Sequence, residues 1–509
     1  MPPDLIDTAL KEYFGLDYLY PYQRLVISNI LAAAESNAAG ESMEEKEREA
    51  PSGQIVILPT GYGKSLCFML PCVLIDKPTL VLFPLLSLIK DQERRLLKAG
   101  IEPVVLTGGL SRDEKQAALE KIKSGKTKII LTNPEALLAI GLENFTSKTG
   151  EKACDGEAQS LIGHIVIDEA HTIPDWGGSF REALLETGKI IETLNPDVVT
   201  AFTATASDSI LDKIREIVFR EREISIIRAN PDRTNIYYEV RHTLCVDRDT
   251  AKLAGKCEKP LIVFCSSRTD TRLTARYLRH ALMSREIFFY HAGLSREEKA
   301  AVEKWFFASP DGILVATCAY GMGVDKADIR TVIHRGPPAS VEAYLQESGR
   351  AGRDMKESKA VMLFSPGDRN RARLLSSTAD GARIRKMAEY ADNTSKCRRE
   401  NLLELMSVKP DYCSGCDICS GKTDFIPDGF AELTGAVAGN RYRLDEKSIV
   451  SMLKGSESAF TPDFFYRQSK WFSSLHDWEK AEIEDALKSL ISEGKIKKGG
   501  KIRKGCFYI

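Results

Sequence analysis

The sequence predicts an α/β chain: two tandem, doubly wound parallel sheets, then a helical unit bearing cysteines, then a small C-terminal unit. Three observations carry this. Short apolar runs alternate with helical patterns within residues 54–167, and the alternation restarts within residues 261–333. Beyond about residue 368 such runs stop and helical patterning takes over. Four of the twelve cysteines then gather between Cys397 and Cys419.

The strand candidates of the first half are Gln54-Ile55-Val56-Ile57-Leu58, Thr79-Leu80-Val81-Leu82-Phe83, Lys128-Ile129-Ile130-Leu131 and Gly163-His164-Ile165-Val166-Ile167. Short apolar runs of this kind, bounded by turn signals and separated by helices, belong to a parallel sheet covered on both faces. The second half offers Leu261-Ile262-Val263-Phe264, Ile287-Phe288-Phe289-Tyr290, Gly312-Ile313-Leu314-Val315 and Thr331-Val332-Ile333, without an internal sequence match. The first 35 residues read as helix, turn, helix. Residues 37–53 and 141–162 are polar interruptions. The expected domains are 1–207, 208–368, 369–422 and 423–509.

Composition sets outer limits. With 509 residues and 43% hydrophobic content, the chain can bury several ordinary cores. No apolar run reaches the ~18–20 residues needed to cross a bilayer. The first residues carry no basic, apolar leader. A soluble, cytoplasmic chain without a membrane partner is expected. The net charge of −1 argues neither for nor against a nucleic-acid partner, because gripping a phosphate backbone needs only local basicity. Residues 495–509 supply it, with six Lys or Arg and no acid.

Pro59-Thr60-Gly61-Tyr62-Gly63-Lys64-Ser65 follows a strand candidate and opens a helical stretch, the setting a phosphate-binding loop requires. Glycines let backbone N–H groups turn toward phosphates, and the helix N-terminus adds partial positive charge. Thr60, Gly61 and Gly63 would cradle the phosphates, Lys64 would contact the β and γ groups, and Ser65 would hold Mg²⁺. The long G-x-x-x-x-G-K-[ST] form is not met, because Leu58 stands at its first glycine. Asp168-Glu169-Ala170-His171 follows the strand candidate ending at Ile167. Carboxylates at the C-terminal end of a strand in such a sheet sit where ligands bind. Asp168 would hold Mg²⁺ and Glu169 would polarise the attacking water.

The tetrad at 168–171, together with Thr203-Ala204-Thr205-Ala206, resembles the helicases of superfamily two, of the DEAH-box kind. Further segments resemble the RecQ family, over roughly residues 5–420. Phe83-Pro84-Leu85-Leu86-Ser87-Leu88-Ile89-Lys90-Asp91-Gln92 is similar to its motif Ia. Trp176-Gly177-Gly178-Ser179-Phe180-Arg181 is similar to its aromatic-rich loop, which couples DNA contact to ATP hydrolysis, although the usual histidine is replaced near Gly178. Phe14-Gly15-Leu16-Asp17-Tyr18-Leu19-Tyr20-Pro21-Tyr22-Gln23 is similar to motif 0, in which Gln23 takes the place of the glutamine that reads adenine. Tyr20 stands where the family has arginine, and Leu16 where it has an aromatic residue, so looser nucleotide selectivity is expected. By the resemblance, both sheet units are RecA-like.

In the second unit, Tyr320-Gly321-Met322-Gly323-Val324-Asp325 resembles motif V, and Gln346-Glu347-Ser348-Gly349-Arg350-Ala351-Gly352-Arg353-Asp354 resembles motif VI. Gln346 joins the expected nucleotide contacts. Arg350 and Arg353, three residues apart, would share one helix face. They would reach a phosphate bound by the other unit, in the manner of an arginine finger.

Cys397 with Cys413, Cys416 and Cys419 offers four thiolates suited to a tetrahedral, structural Zn²⁺. An iron–sulfur cluster is the alternative. The RecQ family has a four-cysteine zinc site at this place. Residues 479–494 form an amphipathic helix pattern in which Ala481, Ile483, Ala486, Leu487, Leu490 and Ile491 share a face. Gly499-Gly500 is a hairpin signal between alternating Lys and Ile. Helix plus basic hairpin reads as a winged helix, with Lys498 and Arg503 as DNA contacts beside Trp176, Phe180 and Arg181.

The resemblance implies an ATP-dependent DNA helicase moving 3′ to 5′, acting in repair or recombination. Its cofactors would be ATP, Mg²⁺ and Zn²⁺. Its partners would be single-stranded and forked duplex DNA, with single-stranded-DNA-binding or recombination proteins. The chain would work as a monomer in the cytoplasm, or at the nucleoid in a bacterium. An RNA helicase, a translocase that does not unwind, and a non-catalytic scaffold are the competing readings.

Overall fold

The computed structural model describes residues 4–38, 51–59, 62–147, 159–176, 181–204, 206–230, 232–318, 320, 326–375, 379–406, 408, 412–423, 426–456, 467–499 and 506–508. The chain packs into two compact units, Met1–Pro231 and Asp232–Ile509.

The first unit is built on a parallel sheet. Its strands are β1 (Gly53–Ile57), β2 (Thr79–Leu82), β3 (Val104–Leu106), β4 (Ile129–Thr132), β7 (His164–Ile167), β8 (Val198–Thr203) and β9 (Ile224–Arg228), in the order β3-β4-β2-β7-β8-β1-β9. A separate two-residue antiparallel pair joins β5 (Thr146–Ser147) to β6 (Gln159–Ser160). All four predicted strands of this half are present. Each is buried along its whole length, which is why its sequence runs apolar without alternation.

β3, β8 and β9 add to that expectation. β8 carries Thr200 and Thr203, which break its apolar run, and β9 is a half-buried edge strand. Because β9 pairs with β1, residues 208–230 belong to the first unit. The division therefore falls at 231/232 rather than at the expected 207/208.

The second unit repeats the architecture with β10 (Ile236–His242), β11 (Leu261–Phe264), β12 (Ile287–Tyr290), β13 (Ile313–Ala316), β14 (Thr331–His334) and β15 (Ser358–Phe364). All are parallel, in the order β10-β15-β14-β11-β13-β12. β10 escapes the apolar pattern because it carries Glu239, Arg241 and His242; β15 offered a readable apolar run, Ala360-Val361-Met362-Leu363-Phe364.

The cysteine-bearing segment docks on the free edge of β10. Tyr238 bridges to Cys416 in parallel, and Asp417 N–H donates to the Tyr238 carbonyl at 3.0 Å. A sheet edge is an open row of donors and acceptors, and the cysteine segment covers this one.

The C-terminal part packs helices Phe430–Gly439, Glu446–Lys454 and Lys480–Ser492 around Leu433, Ile449, Leu453, Ile483, Leu487 and Leu490. The predicted amphipathic helix is there with one substitution on its face. Ala481 is exposed, whereas Glu482 is buried and accepts a hydrogen bond from the Tyr277 hydroxyl. The hairpin differs in register. β16 (Lys497–Lys498) pairs with β17 (Phe507–Tyr508), and Gly499 N–H donates to the Cys506 carbonyl. With Lys498 opposite Phe507, Gly499-Gly500 is not a two-residue turn between the paired strands; residues 500–505 lie outside the described residues.

Candidate active site and metal centre

The order of the first sheet puts β7, β8 and β1 side by side, so three loops leave neighbouring C-terminal strand ends. The loop after β1 carries the phosphate-loop residues. Thr60 and Gly61 lie outside the described residues. Gly63 sits at φ +75° as N-cap of the helix Lys64–Leu74, a conformation that glycine adopts without strain. A Cβ at Gly63 would press on the Gln23 side-chain amide, which would have to shift to make room for it. Lys64 and Ser65 occupy the first two positions of the helix, where unpaired backbone N–H groups favour an anion.

The loop after β7 carries the acidic tetrad. Glu169 adopts φ +52°, a left-handed conformation that costs a non-glycine residue energy and that the surroundings must hold in place. Its carboxylate accepts from Lys64 Nζ at 3.2 Å and lies 3.5 Å from His171 Nδ1. His171 in turn meets Thr203 Oγ1 at 3.0 Å, linking the tetrad to the end of β8. Burial, reinforced by the Glu169 charge, pushes the Asp168 carboxyl up to about 7, against the pull of Lys64. Two buried carboxylates facing one lysine leave negative charge uncompensated. Asp168 is a residue of the kind that holds a divalent cation, and Ser65 stands at the second position of the helix that opens at Lys64.

Gln23 lies beside the phosphate loop. Its Oε1 accepts from Tyr20 N–H at 3.0 Å and its Nε2 donates to the Tyr62 carbonyl at 3.1 Å. Trp176 ends the helix Thr172–Trp176; its side chain and Phe180 fall outside what is described. Arg181 is paired with Glu135, its Nε donating to Oε1 at 2.6 Å. Sequence reasoning missed Glu135, which stands in the first turn of the helix Pro134–Ile140.

In the second unit, Gln346 is half-buried on the helix Val341–Ser348. That helix stops before the arginines. Arg350 and Arg353 lie in the turns beyond it, so they do not share a helix face as expected. The buried Arg233 fixes this segment by donating to the carbonyls of Gly349, Ala351 and Gly352 at 3.0, 3.3 and 2.7 Å. Gly352 has φ +57°, and a Cβ there would collide with Asn235 and Ser358. Arg233, more than a hundred residues upstream, gave no sequence signal. Of motif V, Gly321 to Asp325 lie outside the described residues, while Tyr320 is buried in the core.

The four thiols of Cys397, Cys413, Cys416 and Cys419 lie within 4.8 Å of one another, with Cys397 and Cys416 sulfurs 3.8 Å apart. Sulfurs about 2.3 Å from one tetrahedral Zn²⁺ sit at such separations. A cluster with its own iron and sulfide core would hold them farther apart, so the set fits zinc. The neighbouring Arg398 and Asp417 are fully buried and paired at 3.1 Å. The second Asp417 oxygen accepts from Val240 N–H at 3.0 Å, which ties the cysteine segment to β10.

Lys498 is exposed and lies 3.6 Å from Glu446; Arg503 is outside the described residues. Among the described residues no helix is long and apolar enough to cross a membrane.

Comparison with known proteins agrees with these parts in order. Residues 20–214 match the DEAD/DEAH box helicase family, 249–355 the helicase conserved C-terminal domain, and 358–420 the RecQ zinc-binding domain. The ATP-dependent DNA helicase hus2/rqh1 of Schizosaccharomyces pombe is 30% identical over 79% of this chain and 32% of its own length. The ATP-dependent DNA helicase RecQ of Pasteurella multocida is 29% identical over 87% of this chain and 70% of its own. The mouse bifunctional 3′-5′ exonuclease/ATP-dependent helicase WRN is 31% identical over 98% of this chain and 36% of its own. The chain thus spans about a third of two of these relatives. Among solved structures, the DEAD-box helicase Mss116 bound to single-stranded RNA and UDP-BeF aligns with a TM-score of 0.54 at 19% identity, over 80% of this chain and 81% of that one. The DUF1998 helicase MrfA bound to DNA aligns at 0.53 and 21%, over 72% of this chain and 52% of that one. At such identities the structural likeness concerns the fold.

Proposed function

The chain belongs to the RecQ family of superfamily-two helicases, and from this we propose that it is an ATP-dependent DNA helicase. We propose further that it translocates 3′ to 5′ on single-stranded DNA and unwinds the duplex ahead, in repair or recombination. The observation that supports this most is the meeting of Lys64, Asp168 and Glu169 at adjoining strand ends of the first sheet.

The chemistry follows from these groups. Backbone N–H groups at the start of the helix Lys64–Leu74 and the Lys64 ammonium bind the β and γ phosphates. Ser65 and Asp168 would hold Mg²⁺, which would supply neutralising charge to the phosphates. Glu169 orients the attacking water and accepts its proton, while His171 and Lys64 fix its carboxylate. Arg350 and Arg353 stabilise charge on the transferred phosphoryl group, positioned by the Arg233 clamp. The zinc centre is structural. Trp176, Phe180, Arg181, Lys498 and Arg503 are the proposed DNA contacts, and the C-terminal helices with their hairpin the proposed winged helix. The protein acts as a monomer in the cytoplasm, or at a bacterial nucleoid.

The test is strand displacement on forked duplexes with a 3′ or a 5′ DNA tail, and on an RNA-tailed fork, with and without ATP. ATP-dependent unwinding from the 3′ DNA tail, lost in Lys64→Ala, is expected. A 5′ preference overturns the polarity, unwinding confined to the RNA tail overturns the substrate, and hydrolysis without displacement leaves a translocase.

A further inference from the structure

The helix Arg268–Ala281 of the second unit follows β11 and carries four arginines against a single carboxylate, Asp270. Asp270 is engaged by Arg335, and Arg279 donates from Nε to the Ile287 carbonyl at 2.7 Å and lies over the Phe288 ring. Arg268, Arg272 and Arg276 differ from these. All three are exposed, and among the described residues none has an ion-pair or hydrogen-bond partner. Spaced four residues apart, they form one line along the helix, with about 6 Å of rise from each to the next. The opposite face, with Thr271, Thr274, Ala275 and Leu278, is buried and keeps the line turned outward. Like charges four residues apart on a helix repel, so the line is unfavourable to the folded chain by itself.

The N-terminal end of the line opens on a notch. Gly293, in the loop after β12, has no side chain, and the point that its Cβ would take lies 3.3 Å from Arg268 Nη1 and 3.4 Å from His291 Nδ1. His291 is only 7% exposed, and neither of its ring nitrogens has a hydrogen-bond partner among the described residues. A buried imidazole left unpaired is costly unless a ligand supplies the partner. Guanidinium and imidazole thus converge on one open point, as an anionic oxygen requires. Beside the line, Leu273 is 59% exposed. Unpaired bases present apolar faces that a duplex hides, so an exposed leucine among guanidiniums suits a single strand.

We propose that Arg272 and Arg276 form a phosphate track for one single strand of DNA, entered at the notch between Arg268 and His291. The track lies outside the DNA contacts named above and adds to them, so this inference rests on the DNA-acting reading. Phosphate contacts fix the register and orientation of a strand without reading its sequence. Each one also releases condensed counterions, which lowers the slope of log K against log salt by about 0.7 per phosphate on a single strand. The track therefore has a signature that a merely solvated helix face lacks.

The experiment measures binding of single-stranded DNA, duplex DNA and polyglutamate to the full chain across a range of salt, without nucleotide. The variants are Arg272→Gln, Arg276→Gln, the two combined, and Arg272→Lys. Lys123→Gln combined with Lys126→Gln, at exposed lysines of the first unit, controls for loss of charge as such. Each arginine variant is expected to weaken single-strand binding about fivefold near 0.1 M salt and to reduce the magnitude of the salt slope by about 0.7, and the pair by about 1.4. The losses are equal on oligothymidylate and on mixed sequence, and Arg272→Lys keeps most of the affinity. Tm and DNA-free ATP hydrolysis stay at the wild-type level. An unchanged slope, an equal loss in the lysine control, or a loss confined to duplex DNA overturns the track. A loss confined to polyglutamate assigns the face to an acidic protein and overturns it as well. Failure of the motor reading looks different. A reduced slope in a chain that does not hydrolyse ATP keeps the track and removes the motor, whereas ATP-driven unwinding with an unchanged slope in the variants keeps the motor and removes the track.

Discussion

Lys64 Nζ and Glu169 Oε1, 105 residues apart in sequence, lie 3.2 Å apart, and only about a tenth of each side chain is exposed. A buried pair of this kind leaves an uncompensated charge when one partner is removed. Lys64→Ala is therefore expected to lower ATP hydrolysis by at least roughly 10²–10³-fold, with loss of nucleotide affinity. Glu169→Gln keeps the shape and the binding but loses hydrolysis to a similar degree. Steady-state hydrolysis beside nucleotide binding checks both; a Glu169→Gln variant that turns over at the wild-type rate would remove the residue from the chemistry.

Arg350 and Arg353 sit on a segment whose carbonyls are gathered by Arg233. Arg350→Ala or Arg353→Ala is expected to cost about 10³-fold or more in hydrolysis, with ATP still bound. Arg233→Ala should act through both arginines, so that Arg233→Ala combined with Arg350→Ala costs much less than the product of the single effects. Additive losses in that double-mutant cycle would argue against the clamp.

Metal analysis of the full chain is expected to give one zinc per protein and no iron. Stripping the metal with a strong chelator should release the cysteine segment from the edge of β10, because Tyr238, Val240 and Asp417 link the two by main-chain and carboxylate hydrogen bonds. The readout is faster hydrogen exchange across Ile236–His242 in the stripped protein. Unchanged protection there would mean the segment docks without its metal.

Asp417 neutralises Arg398 where neither side chain reaches solvent. Asp417→Ala leaves a buried guanidinium short of a partner and is expected to destabilise the second unit by about 3–5 kcal/mol. Thermal and denaturant unfolding measure this. A loss well under 1 kcal/mol would show that water or the Tyr390 carbonyl, which already accepts from Arg398, suffices.

His164 is fully buried at the start of β7, its Nε2 on Thr200 Oγ1 at 3.0 Å, and burial pushes its pKa down to about 3. The folded chain thus refuses a proton that the unfolded chain takes up below pH 6.5. Stability contributed by neutral His164 is full above that pH and falls as the pH drops toward 3, by up to about 1.4 kcal/mol per pH unit. His164→Gln should flatten the acid limb of the Tm-against-pH curve for the first unit. An unchanged slope would assign the acid sensitivity elsewhere.

Strands that are buried on both faces were legible in the sequence, because a parallel strand covered by helices must be apolar throughout. The edge and polar strands β9 and β10 were not, since a half-buried strand tolerates charge on its open side. The hairpin register was misread for a related reason. Gly499-Gly500 is a local turn signal, but the pairing of Lys497–Lys498 was set by Phe507, whose ring is buried in the C-terminal core.

By itself the sequence determined the chemistry-bearing groups: the phosphate loop with Lys64 and Ser65, the tetrad from Asp168 to His171, the arginine pair and the four cysteines. Their local spacing reflects local backbone demands, a glycine at positive φ before a helix or thiolates grouped for one metal ion. The tertiary structure alone decided which of them meet. Strand order brings β1, β7 and β8 together and so pairs Lys64 with Glu169 and His171 with Thr203. Packing across distant segments sets Arg233 on the arginine turn and holds the Gln23 amide against main chain. Such contacts depend on crossovers and on the shapes of packed faces, which no local pattern of residues encodes.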